Sequence, residues 1–230
     1  RTVTSQKLVF VAAELMMALS LWFLLWRRGR SPLWIAAYAW HPLAILEIAG
    51  SGHSDALGMA WLWAGLAAWE ARFRLGAAMA WAAAFLSKFL SLALVPWWWF
   101  HQAVNDRRWL CLFLGLAFLP IALYPHEWSA LVSSLSAMTA RTSSNASLYL
   151  LLATGFSQAR WVPLVALGLL GLWLAWWAKR EADPVRYLFG ALTAAALLSP
   201  ALHPWYVVWL IPFLCFWRVP AVMALTATAV

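Results

Sequence analysis

Long apolar runs separated by short polar or cationic segments make up most of this chain. A helix of about 20 apolar residues crosses a hydrocarbon core roughly 30 Å thick. Because an open strand edge cannot stay unpaired in lipid, such runs predict helices. We therefore predict an all-α fold, a polytopic transmembrane helical bundle. The runs are Leu8–Trp26, Leu33–Ala49, Ala56–Trp69, Leu75–Phe100, Trp109–Tyr124, Trp161–Ala178, Tyr187–Leu202, Tyr206–Trp217 and Val219–Val230.

The segment from Leu75 to Asp106 has an unusual length. Its 32 residues are too many for one crossing and too few for two, and arginines flank both ends. This combination predicts a re-entrant hairpin with Lys88 at its tip. About 13 helical residues climb to that tip, or roughly 20 Å, which would place Lys88 about 10 Å beneath the far membrane surface.

One long external loop, residues 125–160, is the most polar part of the chain. Within it an apolar face recurs at helical spacing, which predicts an interfacial helix lying on the membrane surface. We expect one transmembrane domain over residues 1–230. Because the chain begins at Arg1 and ends inside an apolar run, we expect it to be truncated at both ends. The residues of that face are Trp128, Leu131, Leu135 and Met138.

Composition and charge support the membrane interpretation. Hydrophobic residues form 65% of the chain and charged residues 10%, against about 45–50% apolar residues in soluble domains. The net charge of +8 is concentrated in short loops, the pattern that fixes membrane orientation, so we expect no nucleic-acid partner. We expect the larger set of cations to face the cytoplasm. It comprises Arg27, Arg28, Arg30, Arg72, Arg74, Arg107, Arg108, Lys179, Arg180, Arg186 and Arg218.

The first polar cluster occupies the opposite side. Glu47, His53 and Asp55 place an acid, an imidazole and a second acid within nine residues, which suits proton transfer, recognition of sugar hydroxyls or metal ligation. Gly50 and Gly52 let the chain leave the helix there. The structural alternative is a capped turn in which Asp55 caps the next helix and His53 lies at the interface.

Two further clusters are predicted on that side. Lys88 is a deep cation that could hold a phosphate, or it could extend along its own stem to the surface. His203 precedes Trp205, Tyr206 and Trp209, and these rings could stack on a sugar or belong to an aromatic belt at the membrane surface.

Other polar residues have simpler interpretations. Arg141 and Asn145, the latter in the sequon Asn145-Ala-Ser147, lie in the long loop. Glu14 predicts an inter-helix hydrogen bond, and Trp97–Trp99 predict anchors at the inner interface. The chain contains no Walker motif, no His-Glu-x-x-His and no paired Cys-x-x-Cys, so we expect neither a nucleotide engine nor a zinc site of known pattern.

Three segments in this order resemble the GT-C superfamily of integral-membrane glycosyltransferases, in particular the bacterial polyprenyl-phosphate-mannose-dependent mannosyltransferases. They are Pro42-Leu-Ala-Ile-Leu-Glu47 leading into Gly52-His53-Ser-Asp55, then Leu86-Ser-Lys88, then Ser199-Pro with His203-Pro-Trp-Tyr206. The resemblance implies inverting transfer of a hexose, with mannose expected, from a polyprenyl-phosphate donor to a glycan or glycolipid acceptor. It further implies an integral plasma (inner) membrane protein whose active side is extracytoplasmic, with lipid phosphate as the leaving group and no metal or other cofactor expected.

The resemblance and the residue chemistry together give candidate roles. That superfamily usually carries its essential carboxylate in the first external loop, which we expect to precede Arg1. A proton- or ion-coupled secondary transporter and a non-catalytic membrane scaffold remain alternatives. The catalytic candidates are Glu47, His53 and Asp55, and the substrate-binding candidates are Lys88, Arg141, Asn145, His203, Trp205 and Tyr206.

Overall fold

A computed structural model describes residues 3–102, 106–127, 129–130, 132–134, 147–155 and 161–229. These residues are mostly helical and include no strand, which confirms the all-α prediction. The α-helices are α1 (Val3–Arg27), α2 (Ala36–Ala39), α3 (Pro42–Ala44), α4 (Asp55–Glu70), α5 (Arg74–Lys88), α6 (Leu94–His101), α7 (Arg107–Leu123), α8 (Leu148–Gly155), α9 (Val162–Arg180), α10 (Pro184–Leu197), α11 (Pro204–Val207) and α12 (Pro220–Thr228). The described residues also include 3₁₀ segments at Pro32–Ile35, Leu90–Ala93 and Val208–Cys215 and a π-helical segment at Ile45–Gly50.

Two described helices are long and apolar enough to cross a membrane, Leu8–Arg27 and Val162–Arg180. Two bent helix pairs raise this number to four if each pair forms one span. The first pair joins Pro32–Ala39 to Pro42–Gly50 at 58°. The second joins Arg107–Leu123 to Pro125–Ser134 at 88°. Spans of this kind confirm a transmembrane helical bundle.

The predicted interfacial helix is only partly described. Residues 125–127, 129–130 and 132–134 are helical and follow the bend after α7. The four residues of its predicted apolar face, Trp128, Leu131, Leu135 and Met138, lie outside the described residues, so that face stays a prediction.

A helical hairpin is present at the predicted position, and its re-entrant placement in the membrane stays a prediction. Helix α5 ends at Lys88, and Phe89 takes a left-handed conformation (φ +46°) that turns the chain. The Ser91 hydroxyl then donates to the Trp81 carbonyl at 2.7 Å. The Trp98 ring, ten residues beyond the tip, packs on Trp81 with ring centroids 4.9 Å apart. The second arm therefore returns along the first.

Tryptophans fill the space at the open end of the hairpin. Trp69 at the end of α4 contacts both Trp97 and Trp98 edge to face. Trp97 and Trp98 are 2% and 0% exposed, so the prediction that they anchor the interface is wrong for both. The reason is that the returning arm packs against α4 and α5. Trp99, 52% exposed, is the one of the three that lies at the surface.

Cationic residues of the larger set meet at this same end of the bundle. Arg28, just after α1, donates to both carboxylate oxygens of Asp183 at 2.8 Å, and it also pairs with Glu70. The ends of α1 and α4 and the start of α10 are therefore joined by one guanidinium. Elsewhere, the Tyr38 hydroxyl donates to Glu14 at 2.9 Å, which confirms the hydrogen bond predicted for Glu14.

Candidate functional site

Asp55, the first residue of α4, is the most buried acid of the candidate site. It is 3% exposed, and both of its carboxylate oxygens have donors. The Lys88 ammonium lies 3.1 Å from Oδ2, and the Trp209 indole N–H donates to Oδ1 at 2.8 Å. Burying a carboxylate without such partners is costly, so these contacts explain how Asp55 occupies this position.

Lys88 reaches Asp55 because α4 and α5 approach closely at Gly58. An added Cβ at Gly58 would lie 2.8 Å from the Lys88 Cβ, closer than real Cβ contacts allow. Gly58 lies one turn after Asp55 on the same helix, so the ammonium at the hairpin tip faces the carboxylate. The Lys88 side chain is 27% exposed, and only one of its three N–H donors is used by Asp55.

Glu47 and His53 form a second acid-containing pair. His53 Nε2 lies 3.1 Å from Glu47 Oε2, and the two side chains are 31% and 17% exposed. Glu47 belongs to the π-helical segment Ile45–Gly50, and Gly52 takes a positive φ of +73°. The left-handed Gly52 turns the chain so that His53 folds back toward the acid six residues earlier. Unlike Asp55, this pair keeps access to solvent.

Aromatic rings join the two pairs. Trp205 stacks on His53 at 4.4 Å between centroids and on His203 at 4.3 Å. Tyr206 contacts Trp209 at 4.7 Å, and the Lys88 ammonium lies 5.1 Å from the Tyr206 ring centroid. A lysine over a ring face is attracted by the ring quadrupole. The contacts therefore run without interruption from the Glu47–His53 pair to the Asp55–Lys88 pair.

Seven of the nine predicted site residues meet in this one cluster. They come from three segments of the sequence, the last of which lies more than a hundred residues beyond the other two. Their roles remain predictions. Arg141 and Asn145 lie outside the described residues. The seven are Glu47, His53, Asp55, Lys88, His203, Trp205 and Tyr206.

The structure decides between several alternatives left open by the sequence. Ser54, not Asp55, occupies the cap position of α4, and the Asp55 carboxylate bonds Lys88 and Trp209 instead. Lys88 pairs with a buried acid, which neither of its two predicted placements included. The rings of Trp205 and Tyr206 contact imidazoles and the ammonium, so they belong to the cluster and do not only form a belt.

Two residues of the cluster were not predicted as site residues. Trp209 was considered only as part of an aromatic platform, although its spacing of three from Tyr206 places both on one helical face. Gly58 gave no chemical signal. Its only sequence cue is its position one turn after Asp55.

A cavity lies apart from this cluster. It encloses about 680 Å³ between His41, Trp34, Trp217 and Arg218. His41 caps α3 by accepting from the Leu43 N–H at 3.3 Å, and its other ring nitrogen lies 3.2 Å from the Thr226 hydroxyl. His41 is thus engaged locally. Among the described residues, no group of three or more His, Cys, Asp or Glu side chains is placed to hold a metal ion.

The C-terminal part of the chain matches a known family. Residues 133–230 match the model of the MptB C-terminal domain, which covers less than half of the chain. The match supports a relationship to a mannosyltransferase family. It includes His203, Trp205, Tyr206 and Trp209, whereas the acids and Lys88 of the cluster precede it. No curated protein and no solved structure matches the chain.

Proposed function

We propose that this protein is a GT-C glycosyltransferase that moves a hexose, mannose in the simplest case, from a polyprenyl-phosphate donor to an extracytoplasmic glycan or glycolipid. One observation carries the proposal: aromatic rings connect an acid–imidazole pair to a partly exposed ammonium. The relationship to a mannosyltransferase family supports the choice of sugar. Such a protein would reside in the plasma membrane with its larger cationic set toward the cytoplasm.

In the proposed reaction an acceptor oxygen bonds to the anomeric carbon as the bond from that carbon to the phosphate oxygen breaks. The bonding electron pair stays on that phosphate oxygen, the polyprenyl phosphate leaves, and the acceptor proton passes to a base. The configuration at the anomeric carbon inverts. Negative charge therefore grows on the phosphate, and fixed positive donors there would stabilise the transition state.

Lys88 is the residue assigned to the leaving phosphate. Two of its N–H donors remain beside the one used by Asp55. The buried Asp55 and the Tyr206 ring hold the ammonium in place, so it need not be reorganised during the reaction. Asp55 has donors on both oxygens. We therefore assign it to positioning Lys88, and its alternative use as a base would require breaking one of those bonds.

The Glu47–His53 pair is assigned to hydroxyl groups of the sugar or acceptor. A carboxylate hydrogen-bonded to one imidazole nitrogen fixes the tautomer and leaves the other nitrogen to accept a proton or hydrogen bond. Trp205 stacks on both imidazoles and so holds His53 and His203 beside this pair. In this assignment the pair orients the attacking hydroxyl.

Transfer from radiolabelled polyprenyl-phosphate mannose by the full-length protein tests the proposal. Glu47→Gln keeps the side-chain shape and should lower the rate at least tenfold, and Lys88→Ala should lower it about a hundredfold. Lys179→Ala removes an equal charge from an exposed position at the other end of the bundle and is the control. A Lys88→Ala rate within about threefold of wild type would refute the phosphate role.

One observation favours a proton-coupled transporter as a second candidate. Glu14 lies within the span Leu8–Arg27, has Tyr38 as its hydrogen-bond donor and borders a cavity of about 340 Å³. Intramembrane acids of this kind often mark ion pathways. Uptake driven by a proton gradient in proteoliposomes, without glycosyl transfer, would support this candidate. Absence of both activities from the full-length protein, with partner assembly intact when Glu47, His53 and Asp55 are replaced together, would leave the scaffold alternative.

A further inference from the structure

A polar cavity lies at the opposite end of the bundle from the candidate site. It encloses about 390 Å³ between the ends of α1 and α4, the start of α5 and the end of α6. That volume falls in the range of small-molecule sites, about 300–1,000 Å³. Three arginines line it, Arg27, Arg72 and Arg74, together with His101 and Gln102.

The arginine charges of this cavity are poorly neutralised. Arg27 and Arg74 donate to backbone carbonyls, of Glu70 and Trp69 respectively, which carry no net charge. Asp106 lies 3.9 Å from Arg74, at the limit of an ion pair. Within the described residues Arg72 is exposed and makes no ion pair. Its positive charge repels the positive charge of Arg74.

Glu70, the one acid among the described residues that line the cavity, offsets these charges only in part. The carboxylate of Glu70 pairs with Arg28, outside the cavity lining. Like charges gathered in a concave space repel one another unless an anion joins them. The central carbon of the Arg74 guanidinium also lies over the Trp69 ring, 3.5 Å from its centroid, which holds the group beside the cavity. A planar guanidinium fork matches the geometry of phosphate oxygens.

The depth of the cavity agrees with such a ligand. Arg27 is the last residue of the span Leu8–Arg27, so the cavity lies where the hydrocarbon core ends. Phosphate groups of lipids occupy that depth, and basic pockets between transmembrane helices bind anionic headgroups. We propose that this cavity binds a phosphate mono- or diester, held by Arg72 and Arg74 with Arg27 at its side. This proposal does not rest on the glycosyltransferase assignment.

Two probes applied to the full-length protein in phosphatidylcholine nanodiscs test the proposal and separate the sources of phosphate. The first is phosphatidylglycerol, with the bound lipid counted by native mass spectrometry. The second is inorganic phosphate, read by thermal stabilisation against chloride at equal ionic strength. Preferential binding of the lipid identifies a headgroup, and preferential binding of phosphate identifies a soluble ligand. Binding of neither would overturn the proposal.

Charge variants decide whether the cavity is the binding site. Arg72→Gln should weaken binding of the effective probe about tenfold, the loss typical of one charge-assisted hydrogen bond. Arg72→Gly removes the same charge and suits the left-handed backbone at that position (φ +61°), so it should fold at least as well. The control is Arg180→Gln, an exposed arginine of the same end that does not line the cavity. Equal losses in Arg72→Gln and Arg180→Gln would refute the site in favour of diffuse attraction.

Discussion

Replacing Gly58 with alanine tests the packing that brings the hairpin tip to the candidate site. The new methyl carbon would lie 2.8 Å from the Lys88 Cβ and 3.7 Å from the Lys88 backbone nitrogen. Carbon atoms in contact are about 3.5–4.0 Å apart, so α5 would have to move away from α4 by roughly 1 Å. The Lys88 Cβ has no rotational freedom that could absorb this movement.

Stability and activity should respond differently to this substitution. Overpacking costs about 1–3 kcal/mol, and alanine in place of glycine inside a helix returns about 1 kcal/mol, so the free energy of unfolding should fall by roughly 0–2 kcal/mol. The Asp55–Lys88 distance is 3.1 Å, and a 1 Å displacement would take it outside hydrogen-bonding range unless the lysine stem adjusts. A misplacement of that size can lower the rate of an enzyme about a hundredfold.

The assay is transfer of labelled mannose together with thermal unfolding of the full-length protein. Gly115→Ala provides the matched control, because Gly115 also lies inside a helix and has nothing within 4 Å of an added Cβ. It should leave the rate unchanged and the stability equal or higher. A Gly58→Ala protein that folds and transfers mannose within threefold of wild type would refute the argument that the position of Lys88 matters.

Three further substitutions have expected outcomes. Lys88→Met should lower the free energy of unfolding by about 3 kcal/mol, because it leaves the Asp55 carboxylate buried without a counter-charge. Adding Asp55→Leu should restore stability in denaturation measurements, but it should not restore transfer. Additive losses in that double variant would contradict a coupled pair. Trp205→Ala should lower kcat/KM about tenfold, because the Trp205 ring contacts both imidazoles, and Trp205→Phe should lower it less because a ring remains. Equal kcat/KM values for the alanine variant and wild type would argue against stacking. Arg28→Ala should lower stability by about 2 kcal/mol through the two carboxylates that it joins, with transfer unchanged; an unaltered melting temperature would show that the network contributes nothing.

The sequence predicts the elements of this fold better than their partners. Apolar run length predicted the span at Leu8–Arg27, and flanking arginines with an intermediate length predicted the hairpin at Lys88. Both signals are local, because hydrocarbon thickness and loop charge act on each segment separately. The prediction that Trp97 and Trp98 lie at the membrane interface is wrong, because the sequence pattern does not distinguish a tryptophan at an interface from one in a tryptophan core.

The candidate site was predictable in composition but not in pairing. Polar residues that remain in apolar spans are costly, so Glu47, Asp55 and Lys88 stood out as residues in need of partners. Which partner each one finds depends on tertiary contacts. Asp55 contacts Lys88, 33 residues away along the chain, and Trp209, 154 residues away. The glycine that permits the first of these contacts carries no chemistry, so residue type alone gives no reason to select it.

The contact between Trp205 and His53 crosses the boundary at which the family match begins. A gene trimmed to residues 133–230 would encode the rings and His203 but neither acid nor the ammonium. Purified by itself, that product would contain only one side of the cluster. Libraries that recombine related genes near residue 133 would therefore combine N-terminal and C-terminal segments from different proteins. The recombinants that stay functional would show which imidazole and indole surfaces still pack together.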